Sequence, residues 1–394
     1  MYGFYVILKQ ENINLLYING GTVLKLTLTA PCHFGLESVL KFEVERLGAE
    51  DIRVSDGRVT FVGDESLLAR ANICLRTAER VQILLGEFDA YSFEDLFQGV
   101  IKLPLEDYIG KHDAFPVKGY SLNSQLHSIP DCQAIVKKAM VNRLSSVYGI
   151  SWFEETGPLH QIEFGIHKDH CLIMMDTSGT GLHKRGYRQT SVIAPIKETL
   201  AAGIIDIARV YPDSTLYDPF CGSGTLLIEG AMHAMKIAPG LRRRFAAEKW
   251  SFIPEKVWQD ERQRAFDLID RTATFEAFGS DIDPEAVELA KANAQKAGVG
   301  ARIHIEQKDV KDFAMREGKG VVICNPPYGE RLLDVKEAQQ IYRTMGKVFK
   351  NRERDRFYII SPDENFEKFF GRRADKRRKL YNGMIKCQVY QYFK

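Results

Sequence analysis

The octapeptide Asp218-Pro219-Phe220-Cys221-Gly222-Ser223-Gly224-Thr225 constrains the fold of this chain more than any other feature. It follows a short strand pattern, Thr215–Tyr217, and precedes a helical apolar run, Leu226–Met235. Strand, glycine-rich turn and helix in that order open a β–α–β unit of a doubly wound parallel sheet. Gly222 and Gly224 let the backbone turn sharply and approach a ligand where a Cβ would clash. The dinucleotide fingerprint is incomplete, because its third small residue falls on Leu227. That disfavours a pyrophosphate-bearing cofactor.

Strand and helix patterns alternate from about residue 191 to the end, as α/β architecture requires. Pro195 is placed to open a helix. Phe275–Ser280 reads as a second strand, and Asp283, Pro284 and Gly298 read as N-cap, first helical position and C-cap of the helix after it. Arg302–Glu306, Val321–Cys324 and Arg356–Ile360 read as further strands. Gly224 and Asp281 stand much further apart than the roughly 20 residues of a simple unit. Residues 236–271 therefore read as a helical insertion, which must begin and end at the same place.

The amino-terminal half has a different rhythm. A strand pattern at Lys25–Thr29, a helical one at Phe34–Leu47, a hairpin around Asp56-Gly57 and a helix over Leu67–Arg80 suggest an α+β, ferredoxin-like module at residues 23–83. A second small unit spans 84–177, with helices near Ser92–Val100 and Asp131–Tyr148 and strands near Ala114–Gly119, His160–His167 and His170–Asp176. Residues 178–190, rich in Ser and Gly at their start, read as a linker to the 191–394 domain. Residues 1–22 have no clear period and read as an extension, a translation-start artefact or an added strand.

Composition excludes several classes. At 394 residues the chain is long for one core, and 45% hydrophobic with 27% charged residues describes a globular protein. No apolar run approaches the roughly 18 residues of a membrane span, and the first residues lack the pattern of an export signal. Seven cysteines without a CxxC pair argue for reduced thiols in the cytoplasm and against a metal site. The net charge of +2 does not mark a polyanion binder, so any such surface must be local.

Two further motifs carry the chemistry. In Phe278-Gly279-Ser280-Asp281-Ile282-Asp283 the acid at the end of the second strand is placed to accept hydrogen bonds from two ribose hydroxyls. Asp281 takes that role, Ile282 would lie against an adenine face, and Asp283 is read as the helix cap. Asp309, followed by Val310 at the end of the next strand, could bond an adenine amino group or simply shape a turn. In Cys324-Asn325-Pro326-Pro327-Tyr328-Gly329 the proline pair at a strand end stiffens the backbone and leaves the Asn325 and Pro326 carbonyl groups without local donors. Those oxygens can accept both hydrogens of an exocyclic amine and hold its nitrogen in line with a methyl sulfonium. Tyr328 offers a flat face for a flipped-out base.

DPFCGSGT, GSDID, KDV and NPPYGER, in that order, resemble the motif series of class I S-adenosylmethionine-dependent methyltransferases acting on amino nitrogens. Leu182–Arg188 with Ala194–Leu200 is similar to a narrower group, the THUMP-domain RNA methyltransferases related to the 23S ribosomal RNA guanine-N2 enzymes. Phe115–Gly119 and Cys132–Ala139 resemble the THUMP part itself. The resemblance covers roughly Lys25 to Lys394. It implies S-adenosyl-L-methionine as cofactor, held by Asp218, Phe220, Cys221, Gly222, Gly224, Thr225, Asp281, Ile282, Asp309, Val310 and Asn325. Asn325, Pro326, Pro327 and Tyr328 would stand between cofactor and base. It also implies an RNA-binding unit at 84–177, where Lys118, Lys137, Lys138 and Arg143 are the candidate phosphate contacts. The helix carrying the last three would bury Ala134, Ala139 and Leu144. Arg372–Lys379 could follow phosphates or be a solvated turn. The expected reaction is methylation of guanine N2 in ribosomal RNA. Adenine N6 in RNA or DNA is the alternative, and a non-catalytic RNA-binding or ribosome assembly factor or a nicotinamide oxidoreductase are the rivals from other classes.

Overall fold

Alternate residues of the carboxyl-terminal strands enter two different cores, and this period of two sets the architecture. The computed structural model describes residues 8–10, 13–18, 21–188, 195–328, 334–349, 355–383 and 385–393, with side chains from residue 24 onward. The motif positions Ala194, Gly329, Glu330 and Arg331, and the expected domain start at 191, lie outside the described residues.

The amino-terminal half runs β1 (Leu8–Gln10), β2 (Ile13–Ile18), β3 (Gly21–Pro31), α1 (Glu37–Arg46), β4 (Glu50–Ser55), β5 (Arg58–Gly63) and α2 (Glu65–Cys74). It continues with β6 (Gln82–Asp89), α3 (Phe93–Ile101), β7 (Val117–Leu122), α4 (Ile129–Tyr148), β8 (Ile162–His167) and β9 (His170–Asp176). Within residues 1–22 the described stretches are strands: β1 pairs antiparallel with β2, and β2 with β3. The second helix ends at Cys74 rather than Arg80. Glu43 pulls the next residues out of the helix, its carboxylate accepting the amides of Arg76 (3.1 Å) and Thr77 (3.2 Å).

No linker separates the two small units. β6 pairs with β3 through Leu28↔Ile83 and with β9 along its whole length, so one strand belongs to both and the sheet runs on in the order β1-β2-β3-β6-β9-β8-β7. The expected linker at 178–190 is anchored at its start, although Gly179 and Thr180 are exposed. Ser178 is buried, accepting from the Val81 amide at 2.9 Å and donating to Asn72 Oδ1 at 2.6 Å.

The carboxyl-terminal half comprises α5 (Glu198–Ile207), β10 (Thr215–Asp218), α6 (Thr225–Ala234), α7 (Glu255–Asp267), β11 (Glu276–Asp281), α8 (Pro284–Ala297), β12 (Ile303–Gln307) and β13 (Val321–Cys324). It ends with α9 (Val335–Val348), β14 (Arg356–Ser361), α10 (Phe366–Phe370), β15 (Lys376–Asn382) and β16 (Ile385–Tyr392). Pro195 does not open α5; Lys197 precedes its first turn. The sheet order is β12-β11-β10-β13-β14-β16-β15, parallel from β12 to β14, with β16 antiparallel to β14 and β15 antiparallel to β16. Tyr217, Val322, Cys324, Phe357 and Ile359 enter one core, with Tyr342 and Met345 of α9. Their neighbours Leu216, Val321, Ile323, Tyr358 and Ile360 enter the other, with Leu227 and Ile228 of α6. This second core is continuous with the apolar interior of the amino-terminal half, back to Leu26.

The insertion at 236–271 returns to its starting point, the Asp270 amide donating to the Met235 carbonyl at 2.8 Å. Its helix α7 braces the amino-terminal module. Arg70 of α2 makes a forked pair with Glu261, Nε to Oε2 at 2.8 Å and Nη2 to Oε1 at 2.6 Å. Truncating one partner of such a mostly buried pair strands the other charge. Glu261→Ala is expected to destabilise the fold by about 2–3 kcal/mol, seen as a lower Tm in thermal unfolding; an unchanged Tm would deny the insertion its bracing role.

Candidate active site

The strand order reverses between β10 and β13, whose carboxyl ends lie side by side. Helical connections leave that point in opposite directions, so a crevice opens there, the place where doubly wound sheets take their ligands. Leu216 pairs with Val321 and Tyr217 with Val322. The residues that follow these paired strands, from Pro219 after β10 and from Asn325 after β13, therefore leave the sheet at the same end. The glycine-rich turn and the Asn-Pro-Pro-Tyr segment are thereby brought together.

Backbone hydrogen bonds shape the turn. The Cys221 amide donates to the Ser280 carbonyl at 2.9 Å and the Gly224 amide to the Cys221 carbonyl at 2.7 Å. Gly222 and Gly224 sit at φ of +50° and +78°, the left-handed region that glycine enters without penalty. The Gly222 amide donates to Asp281 Oδ2 at 2.9 Å, and the Asp283 amide to Asp281 Oδ1 at 3.1 Å. A carboxylate has about four acceptor positions, so Asp281 keeps capacity for ribose hydroxyls. Ile282 beside it is 67% exposed, a large apolar side chain left open at the sheet end. Asp309 caps a short turn at Val310, accepting the Lys311 amide at 2.9 Å. That bond holds its carboxyl below the ordinary carboxylate range.

Asp218 is buried at the end of β10 and accepts the Phe220 amide at 3.0 Å. Burial pushes its carboxyl up to about 8; the Phe220 amide opposes the shift and the Asp281 charge adds to it. A cationic ligand group placed beside Asp218 would favour its ionised form. Burial, with the Asp218 charge nearby, also drives the Cys221 and Cys324 thiols well upward, so neither supplies a thiolate nucleophile.

Asn325 Oδ1 is buried and has no hydrogen-bond partner among the described residues. An orphaned acceptor costs about 1–3 kcal/mol, and its place at the end of β13 suits it to receive an N–H from a ligand. Tyr328 differs from expectation. It is only 6% exposed, and its hydroxyl accepts from Asn382 Nδ2 at 3.1 Å, so its ring does not lie open for stacking.

Residues that sequence reasoning missed support this site. Asn293 of α8 donates to the Ser223 carbonyl at 2.9 Å. Arg188 donates to Thr225 Oγ1 at 2.6 Å and pairs with Glu198 at 3.3 Å. Gly279 must lack a side chain, since a Cβ there would stand 2.4 Å from Leu227 Cδ1. The glycine had a visible signal, in its strand beside the acid, and Arg188 closes the family-like segment Leu182–Arg188; the asparagine had none.

The expected phosphate contacts in the second small unit are largely neutralised. Lys118 pairs with Glu163 at 3.3 Å, Lys137 with Glu155 at 2.5 Å, and Arg143 with Glu106, its Nε donating at 2.9 Å. Lys138 is the exposed one of the four. Helix α4 buries Cys132, Val136, Ala139, Met140 and Leu144, whereas Ala134 is exposed, because it lies half a turn from Cys132 and Val136.

Family models match three stretches: an RlmL ferredoxin-like domain at residues 27–82, a THUMP domain at 90–176, and an RMKL-like methyltransferase domain at 185–391. The chain is similar to the "Putative RNA methyltransferase YpsC" of Bacillus subtilis, 43% identical over 371 residues, which are 94% of this chain and 96% of that one. It is similar to the "Crystal structure of SMU.472, a putative methyltransferase complexed with SAH", at 41% identity and a TM-score of 0.88, covering 94% of this chain and 98% of that one. A protein from Listeria monocytogenes labelled "a predicted N6-adenine-specific DNA methylase" is 46% identical, with a TM-score of 0.88, over 94% of this chain and 96% of that one.

The Asp218 carboxyl gives a pH prediction. Its folded pKa of about 8 exceeds the unfolded value of about 3.9, so between those limits the folded state holds the extra proton. Stability from this group is greatest at acid pH and falls as pH rises through the window, by a few kcal/mol in total. Wild-type protein and Asp218→Asn compared by denaturant unfolding from pH 5 to 8 are expected to differ in slope, the variant being flatter; parallel curves would contradict the assignment.

Proposed function

We propose, on the premise that the chain belongs to the RMKL-like methyltransferase family, that it transfers a methyl group from S-adenosyl-L-methionine to guanine N2 of ribosomal RNA. The observation that carries this reading is the orphaned Asn325 Oδ1 at the sheet reversal, beside a glycine turn and two acids. The residues present fit the cofactor. Asp281 would take the ribose hydroxyls, the open Ile282 side chain the adenine face, and the Asp309 carboxylate the adenine amino group. Gly222 and Gly224 leave room at the turn for the methionine part, whose ammonium suits the Asp218–Asp281 acid pair. When bound, S-adenosylmethionine supplies an electrophilic methyl group on sulfonium.

The work of the chain is positioning. Asn325 Oδ1 and the Pro326 carbonyl accept the two hydrogens of the amine, raise its electron density and fix its line of approach. Pro326 and Pro327 stiffen the segment so that this geometry exists before the base arrives. Orientation of this kind supplies about 7–11 kcal/mol in well-ordered reactions. No side-chain nucleophile is required, and the proton lost by the amine can leave to water. Tyr328, held by Asn382, would form a wall of the base pocket.

RNA is favoured over DNA by the ferredoxin-like and THUMP matches, and guanine N2 over adenine N6 by the same half of the chain. The free thiols fit work in the cytoplasm. Asn325→Ala is expected to lose methyl transfer to RNA by about 10²–10³-fold while S-adenosylhomocysteine still raises its Tm; retained turnover would refute the role. Nucleoside mass spectrometry after incubation with isotopically labelled cofactor is expected to find N2-methylguanosine. N6-methyladenosine, in RNA or DNA, would replace the guanine assignment.

A further inference from the structure

We propose that Phe34, Lys379 and Tyr381 form a surface on which the RNA strand flanking the methylated base stacks, next to the catalytic segment. This rests on the RNA methyl-transfer reading above and extends it to a second set of contacts.

Phe34 is a phenylalanine 54% exposed, and it is nevertheless held firmly. Gly57 packs beneath its ring, where an added Cβ would stand 3.1 Å from Cε1. The next residue, Gly35, has φ of +92° and lies so close to β15 that a Cβ would meet the Lys379 carbonyl oxygen at 2.5 Å. Arg378 clamps the loop, donating from Nη2 to the Gly35 carbonyl at 2.7 Å and to Ser38 Oγ at 2.8 Å. Glu37, the nearest acid in the loop, is satisfied by the amides of Gly35 (2.9 Å) and Gly57 (3.1 Å). An exposed ring with so much local order is preorganised for a partner, because little entropy remains to be lost on binding.

The partner's chemistry follows from the neighbours. The Tyr381 ring meets Phe34 edge-on, with centroids 6.1 Å apart, and Lys379 Nζ lies 5.3 Å from the Tyr381 centroid. Arg373, Lys376 and Lys379 are all exposed along the same segment. Aromatic faces interleaved with cations match a single-stranded nucleic acid, bases on the rings and phosphates on the ammonium groups. The strand that carries the patch also reaches the site: Asn382, next to Tyr381 in β15 but on its other face, donates to the Tyr328 hydroxyl at 3.1 Å. An RNA strand whose target base enters beside Tyr328 would run from there onto the patch. Phe34 comes from the ferredoxin-like module and Tyr381 from the sheet hairpin, so the surface exists only when the two are docked.

The test uses the full chain, tritiated S-adenosylmethionine and total RNA from a strain of the source organism lacking the protein. The double variant Phe34→Ala/Tyr381→Ala is expected to raise KM for RNA about tenfold or more, with kcat and the S-adenosylhomocysteine Tm shift retained. Phe34→Trp, which keeps a ring, is expected to retain the wild-type KM. Lys379→Glu, exposed and outside the core, is expected to raise KM and to reduce the slope of log KM against log salt by about one. No label in RNA with wild-type protein would overturn the RNA methyl-transfer reading itself. Wild-type activity together with an unchanged KM in the double variant, or an unchanged salt slope in Lys379→Glu should the double variant not fold, would overturn this inference alone.

Discussion

The parallel pairing of β10 with β13 is the constraint on which the rest of the structure depends. A pair of ladder contacts, Leu216 with Val321 and Tyr217 with Val322, joins segments about 100 residues apart in sequence. Because side chains alternate with period two, a slip of one residue would exchange the two cores and misplace both motifs. Apolar burial on both faces penalises that slip: Tyr217 and Val322 belong to the α9 side, Leu216 and Val321 to the α6 side. The functional geometry is thus enforced by packing that takes no part in the chemistry.

Around that point the structure resolves a conflict between stability and function in an orderly way. Arg185 is buried and bonds Glu229 and the Leu182 carbonyl, whereas Glu229 Oε2, the Gln82 side-chain amide and Trp258 Nε1 are among the buried polar atoms elsewhere in the fold without a partner among the described residues. At the sheet end three unfavourable features occur together. Asn325 Oδ1 has no donor among the described residues, Asp218 is buried beside a second acid, and Ile282 is left in the open. Each is unfavourable alone, and all are at one crevice, as expected where a ligand completes the structure.

The three family matches do not correspond to three separate bodies. β6 is shared between the ferredoxin-like and THUMP portions, Ser178 is buried in the junction, and Glu79 ties His33 (3.1 Å) and Lys197 (3.0 Å) across it. Basic residues that look like a nucleic-acid face from helical spacing mostly pair with glutamates of neighbouring elements. Spacing along a helix reports which side a residue occupies, not which acid a distant loop brings to it.

The sequence alone determined the doubly wound domain, the strand ends, the αL glycines of the turn and the acid after the second strand. These follow from local rules, periodicity and backbone sterics, which act over a few residues. It also placed the α8 cap and C-cap, where Asp283 accepts the Glu285 amide at 2.9 Å and Gly298 has φ of +78°. Only the tertiary structure decided that α2 stops at Cys74, that Ser178 is buried in the junction, that Tyr328 is covered, and that Arg188 and Asn382 steady the site. Those outcomes depend on partners far away in the chain, such as Glu43 for α2 and Asn382 for Tyr328. No local pattern encodes a contact whose free energy appears only when the chain has already folded.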